Sequence, residues 1–384
     1  MRALCATALP ALLAALPAAA EPAPGPPPEA VVGVLPFEAN REPNRVMVNL
    51  APEGGRPFVM MLDTGASDSV ITPRMARELG VRVRALKDTP YRRATRLGRD
   101  LQFWVDTESS DTAARTGWEY GLLGGEFLDD YVLEIDFPGR RVRCLDPKKY
   151  EVPEQVEAPD ERVAPLVRAA TRVSVPVGVN GRELTVMLDT GAPGPGILSG
   201  QAAREAGIEV AALPTFGKAG TVLGPMQTSL YEATDFALAG VPLGRVPLLV
   251  APKGWYNQAG PNDSVIGYDV LAPFVIRIDY ARKRLWLKRT LAGPVRFYGS
   301  DYELAKQTGA YMNEEPGGHF VWAVVPGSPA EKLGVRAGDY VVSSEQVEAP
   351  PVDEVLRSIL AGKELQVSRK QGDVWVDTVL PEPP

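Results

Sequence analysis

The run Met-Leu-Asp-Thr-Gly-Ala stands twice in this chain, at residues 61–66 and again at 187–192. Each copy closes a pair of extended segments. The first pair is Arg45-Val46-Met47-Val48-Asn49-Leu50, a turn holding Gly54 and Gly55, and Phe58-Val59-Met60-Met61-Leu62. Its alternation of apolar and polar residues predicts strands. The second pair is Arg172-Val173-Ser174-Val175-Pro176-Val177 and Leu184-Thr185-Val186-Met187-Leu188. Asn180-Gly181 between them predicts a two-residue hairpin turn. The echo continues downstream. Residues 75–81 and 202–208 read as short helices ended by Gly80 and Gly207. Leu122-Leu123-Gly124 matches Val265-Ile266-Gly267, and residues 131–137 match 274–280, each followed by a basic turn. The copies lie 126 residues apart at the aspartates (189 minus 63) and 143 at the backing glycines (267 minus 124), so the second copy has an enlarged connection. A duplicated, mainly β chain with two aspartate loops is the expectation.

The chain has 384 residues, room for two or three domains, and one histidine, His319. Histidine-based zinc sites need several such residues, and serine or cysteine triads need one placed at the chemistry. Carboxylates are the remaining candidates for acid–base work. With 41 Lys and Arg against 48 Asp and Glu, the net charge is −7 and no basic block stands out. Nucleic acid is therefore not an expected partner. Residues 1–20 read as a signal peptide: Arg2, an Ala/Leu-rich stretch, and Ala18-Ala19-Ala20. No later run is long enough for a membrane span. Cys5 falls in the signal, which leaves Cys144 alone and the expected product without an intrachain disulfide. A bacterial periplasmic or secreted location follows as an expectation. Residues 21–42 read as a Pro-rich tether and 151–165 as a linker.

The duplicated segments, about 43–150 and 166–290, resemble retropepsin-like aspartic peptidases, whose signature is a strand, Asp-Thr/Ser-Gly, and a later apolar pair followed by Gly. The resemblance implies a bilobal acid-protease fold of two such units. It implies that Asp63 and Asp189 act together, the ionised member activating a water and the protonated one donating to the peptide carbonyl; with water as the nucleophile, no metal or organic cofactor is implied. Either aspartate fits either part, because such a pair titrates as a unit. Thr64 and Thr190 would lock the two loops by hydrogen bonds. Gly65 and Gly191 would permit a tight turn, and Gly124 and Gly267 would let backbone pass behind each loop. Ala66 and Ala192 stand where pepsin-like members often carry a hydroxyl that lowers the aspartate pKa, so the optimum is expected at mildly acidic to neutral pH. The second loop is one residue longer, with Pro193-Gly194-Pro195-Gly196. Flaps are expected at residues 219–229 and around 91–104. The alternative is a catalytically retired peptide-binding protein on the same fold; an enzyme restricted to one maturation bond is a third reading.

From about residue 300 to 384 the pattern changes. Ser328-Pro329-Ala330, Leu333-Gly334 and Gly338-Asp339 resemble a bacterial PDZ domain, in which Ser-Pro-Ala opens a helix and Gly-Asp leads a strand. The resemblance implies a C-terminal peptide ligand or protein partner held by strand addition, with Gly317, Gly318, His319 and Phe320 as the carboxylate loop and residues 351–360 as the flanking helix. His319 reads either as an exposed loop residue or as a ligand contact.

Overall fold

The alternating runs fold as strands, paired so that each buries its apolar face. The computed structural model describes residues 25–38, 44–51, 57–80, 91–94, 100–105, 120–156, 158, 160–213, 215–221, 224–251, 264–315, 318–342, 350–371 and 374–381. The expected signal at 1–20, Pro22 and Pro24, the turn glycines Gly54 and Gly55, and Gly317 lie outside the described residues.

Met47–Leu50 pairs antiparallel with Phe58–Leu62, which runs parallel to Gly121–Leu123. They share a six-stranded sheet with Ser69–Ile71, Asp100–Val105 and Tyr91–Ala94. The same local pattern recurs in an eight-stranded sheet. There Arg172–Val179 pairs antiparallel with Arg182–Leu188, which runs parallel to Val265–Ile266. Asn180 and Gly181 take φ of 52° and 73°, as a two-residue Asn-Gly turn requires. The short helices are Pro73–Glu78 and Gly200–Glu205. Thr72 and Ser199 cap them by accepting the N–H of Met75 and Ala202.

A third sheet joins the two halves. Its order is Val31–Pro36, Arg141–Leu145, Val132–Asp136, Phe274–Asp279, Arg284–Arg289 and Glu161–Pro165. The central pair is the two echoing runs themselves, antiparallel, with Glu134 opposite Arg277. Glu134 is fully buried; its Oε2 accepts from Arg277 Nε at 2.7 Å, and Arg143 pairs with its other oxygen. The Arg277 guanidinium lies 3.9 Å from the centre of the Trp286 ring. Charges this deep are tolerated because they are paired. Two expectations change here. The stretch read as a tether to residue 42 contains a strand paired with Arg141–Leu145, and the linker to residue 165 ends in one paired with Arg284–Arg289. Buried Leu35 and the strand preference of the β-branched Val31, Val32 and Val34 outweigh the neighbouring prolines, and Pro36 and Pro165 end edge strands, where a missing N–H costs little. Cys144 is buried in this sheet as a free thiol.

Beyond residue 300 the helix Tyr302–Thr308 leads into a five-stranded antiparallel sheet. Its order is Ala310–Glu315, Gly318–Val324, Tyr340–Val342, Leu365–Gln371 and Val374–Leu380. Ser328 caps the helix Pro329–Leu333, and Val352–Leu360 is a second helix. The expected loop at 317–320 is corrected. Gly318, His319 and Phe320 lie in a strand paired on both sides, so their backbone donors are not free for a carboxylate. His319 is 1% exposed, and its Nε2 donates to the Pro350 carbonyl at 2.6 Å. It points inward in phase with Val321 and Ala323, an alternation the sequence already carried. Among the described residues no helix is long and apolar enough to cross a membrane.

Candidate active site

Each aspartate ends a central strand. The Asp63 N–H donates to Leu123 O and the Asp189 N–H to Ile266 O, both at 3.0 Å. The loops then turn back on their own side chains. Asp63 Oδ1 accepts from the N–H of Gly65 (2.8 Å) and Ala66 (3.0 Å); Asp189 Oδ1 accepts from Gly191 (2.9 Å) and Ala192 (3.1 Å). The threonines between them are fully buried and cross over. Thr64 N–H donates to Thr190 Oγ1 and Thr190 N–H to Thr64 Oγ1, both at 3.1 Å. Thr64 Oγ1 donates to Leu188 O and Thr190 Oγ1 to Leu62 O.

This crossing brings the carboxyls together. A Cβ on Gly65 would fall 2.6 Å from Asp189 Cγ, and one on Gly191 would fall 2.7 Å from Asp63 Cγ. Neither glycine has a positive φ. The need for glycine is therefore approach to the opposite carboxyl, where the sequence had suggested turn geometry. Gly124 and Gly267 pass behind the loops. An added Cβ would meet Asp68 O at 2.4 Å or Gly194 O at 2.3 Å. Flanking N–H groups bind the loops: Gly125 to Ala66 O (2.9 Å) and Tyr268 to Ala192 O (2.8 Å). Both flap candidates are antiparallel hairpins, Tyr91–Ala94 with Asp100–Val105 and Thr215–Thr221 with Gly224–Leu238. Residues 95–99 and 222–223 lie outside the described residues.

Both carboxyls of the pair are raised. Burial pushes the Asp63 carboxyl above its ordinary range, against the Gly65 N–H, a hydrogen bond with Asp189, the Ala66 N–H and the charge of Arg45. Asp189 is likewise pushed well above its ordinary range, first by burial and then by the negative charge of Asp63. Like charges in contact cannot both ionise easily, which adds to burial in raising Asp189. Among the described residues no cluster of histidine, cysteine or acidic side chains is arranged to hold a metal ion.

Four residues outside the motifs also belong to the site. Arg45 Nε donates to Gly191 O at 3.3 Å and its Nη1 to Tyr120 Oη at 3.1 Å. Tyr298 packs on the second loop, where a Cβ on Gly194 would fall 2.5 Å from its ring. The Tyr298 N–H donates to buried Asp269, whose carboxyl burial pushes up to about 7. Glu126 is likewise pushed up to about 7 by burial. The duplication held a signal for two of them: Glu126 and Asp269 each stand two residues after a backing glycine. Tyr298 had none, because its role depends on where the chain returns.

Residues 46–97 and 175–270 match the profile of a family described as aspartyl protease. Curated proteins yield no match to the chain. One similar solved structure is a retropepsin-like aspartic protease from Rickettsia conorii, at 20% identity, covering 34% of this chain and 90% of that one with a TM-score of 0.27. That score is too low for the likeness to bear on fold or function. Over the two matched segments, each holding one copy of the six-residue run, the chain is similar to the aspartyl protease family.

Proposed function

We propose that this chain is an aspartic endopeptidase, built from two retropepsin-like units in tandem, in which Asp63 and Asp189 form one catalytic pair. The observation that carries the reading is the reciprocal Thr64–Thr190 crossing, with each loop glycine against the opposite carboxyl. A carboxyl pair sharing one proton supplies both halves of peptide hydrolysis. The ionised oxygen takes a proton from water as it attacks the carbonyl carbon, and the protonated carboxyl donates to the carbonyl oxygen. That aspartic proteases share one proton in this way is a general pattern of such dyads, and the Thr64–Thr190 crossing supports reading this pair in the same way. An extended peptide would lie between the loops and the two hairpins, which would act as flaps.

The region after residue 300 is read as a PDZ domain that recruits substrate or partner. With the 318–320 segment occupied on both sides, peptide addition would have to use an edge of this sheet, Ala310–Glu315 or Val374–Leu380. Export to a bacterial periplasm or exterior remains the reading of residues 1–20.

The test is cleavage of a peptide library by the wild type and by Asp63→Asn and Asp189→Asn, each alone. Loss of at least about 100-fold in kcat for both variants is expected, since each removes a proton-transfer partner worth roughly 100- to 10,000-fold. Equal cleavage by all three proteins would overturn the dyad. Folded wild type that cleaves nothing while binding peptide would favour the retired reading.

A further inference from the structure

The two hairpins that would serve as flaps rest on different supports. The first buries Leu101 and Phe103 in the main core of the two halves. The second does so along only part of its length. Ala233, Phe236 and Leu238 of its long strand belong to that core, but Met226 and Leu230, nearer the strand's start, pack against a different cluster. This second cluster runs from Met187, Ile197 and Leu249 of the second half to Tyr311, Met312 and Val321 of the C-terminal sheet. Phe216, on the hairpin's edge strand, crosses the seam. Its ring centre lies 4.6 Å from that of Tyr311, 4.9 Å from that of Trp322 and 6.1 Å from that of Phe297, each edge-to-face. Pairs of this geometry add to what burial alone supplies. Trp322 in turn stacks on Phe297 and meets Tyr298 at 4.8 Å, and Tyr298 is the ring that lies against Gly194 in the Asp189 loop. One aromatic cluster thus joins a flap strand, the Asp189 loop and the C-terminal sheet.

We propose that the C-terminal domain positions the second flap, with Phe216 and Trp322 as the positioning residues that set where the hairpin stands over the cleft. This rests on the peptidase reading above, in which the hairpin is a flap. Phe216 is carried by the flap strand and Trp322 by the neighbouring sheet, so both act through the hairpin and not on the reacting atoms. Beside Phe216 the seam opens into a groove of about 500 Å³, lined by Thr215 and Gln227 on one side and Phe320 and Ala337 on the other. Ring contacts therefore hold the hairpin, with room alongside for it to shift. The ion pair of Lys306 with Glu232 also spans the seam, but with its lysine half-exposed it contributes little. Loosening the rings leaves the Thr64–Thr190 crossing in place. A peptide would then have to order the hairpin as it binds, at a cost to affinity, while the proton transfers are spared.

The test is amide hydrogen exchange of the full-length protein, read by mass spectrometry, with peptide kinetics beside it. Phe216→Ala and Trp322→Ala should each speed exchange across Thr215–Thr221 and 224–230 by about tenfold, since each deletes aromatic pairs worth roughly two- to tenfold apiece. Exchange in the joining sheet, at Val132–Asp136 and Phe274–Asp279, should keep its wild-type rate, which shows that the variants are folded. Trp322→Phe keeps a ring for Phe216 and should stay within about threefold of the wild type in the hairpin. Should Trp322→Ala not fold, Phe216→Ala decides, because Phe216 is only partly buried. In cleavage assays Phe216→Ala should raise KM about tenfold and change kcat by less than about twofold. A folded Phe216→Ala protein whose hairpin exchanges like the wild type would overturn the proposal. So would exchange that rises equally in the joining sheet, or a loosened hairpin with KM unmoved. If the wild type cleaves no peptide, the peptidase reading fails, while the exchange rates still decide whether the C-terminal domain holds the hairpin.

Discussion

Thr64 and Thr190 hold one another through four hydrogen bonds: each amide donates to the other's hydroxyl at 3.1 Å, and each hydroxyl donates to the carbonyl preceding the other's aspartate, at 2.7 and 2.6 Å. Thr64→Val keeps the shape but strands the Thr190 N–H and the Leu188 carbonyl in a dry site. The expected cost is about 2–4 kcal/mol, from two buried groups left unsatisfied. Thr64→Ser keeps the hydroxyl and should cost under about 1 kcal/mol. Urea unfolding of both variants checks this. The Thr64→Val, Thr190→Val double variant should cost less than the sum of the singles, because they break the same network.

Gly65→Ala and Gly191→Ala drive a methyl into the opposite carboxyl, whose carbon lies 2.6 or 2.7 Å from the added atom. The loops must part. A displacement of this size is expected to lower kcat by about 100-fold, with the melting temperature reduced by only a few degrees. Steady-state kinetics beside a thermal melt separates the two effects.

Ala66 and Ala192 place methyls beside the pair, and only backbone N–H groups reach the aspartate Oδ1 atoms from those positions. The acid limb of peptide hydrolysis should therefore lie above the ordinary aspartate value of about 4. Ala66→Ser adds a hydroxyl that favours the ionised form, and should move that limb down by about half a unit or more. An optimum below about pH 3 in the wild type would contradict the argument.

Glu126 and Asp269 bear on the pH dependence of stability. Burial raises both from their ordinary values, 4.5 and 3.8, to about 7. In that window the folded protein holds protons that the unfolded chain has released, so stability falls as pH rises from about 4 to 7. Glu126→Gln and Asp269→Asn remove the titration and should each flatten this fall, by roughly 1–3 kcal/mol. Melts at pH 4.5 and 7.5 give the comparison. The opposite slope in the wild type would show that other carboxylates dominate.

Glu134 answers Arg277 across the central strands of the joining sheet, with neither side chain more than 5% exposed. Glu134→Ala leaves the Arg277 charge buried, partly consoled by the Trp286 ring. The expected loss is about 3–5 kcal/mol, measured by denaturant unfolding, with the midpoint shifted and the slope unchanged.

Much of this was legible in the residue order. The six-residue run, the strand pairs leading into it, the Asn180-Gly181 turn and the small capped helices follow from local chemistry, so single stretches of sequence carry them. The misreadings share one cause. Proline-rich and acidic stretches read as tether and linker, yet Val31–Pro36 and Glu161–Pro165 become strands because distant partners offer them an edge. His319 read as a loop residue because two glycines precede it, while its alternation with Val321 and Ala323 decided its place. Arg45 and Tyr298 act through contacts with residues 146 and 104 positions away at Gly191 and Gly194, and no local pattern announces such a return.

The packing of Tyr298 on Gly194 also sets where this protein can be cut. A boundary drawn at residue 290, after the last strand of the second half, would look natural by secondary structure. It would strip away the phenol ring that walls the Asp189 loop and the amide that Asp269 accepts. The loop would gain an open flank and Asp269 would lose its donor. A shortened form that respects this contact has to run past Ser300, so the smallest intact version of the site borrows its outer wall from the doorstep of the following domain.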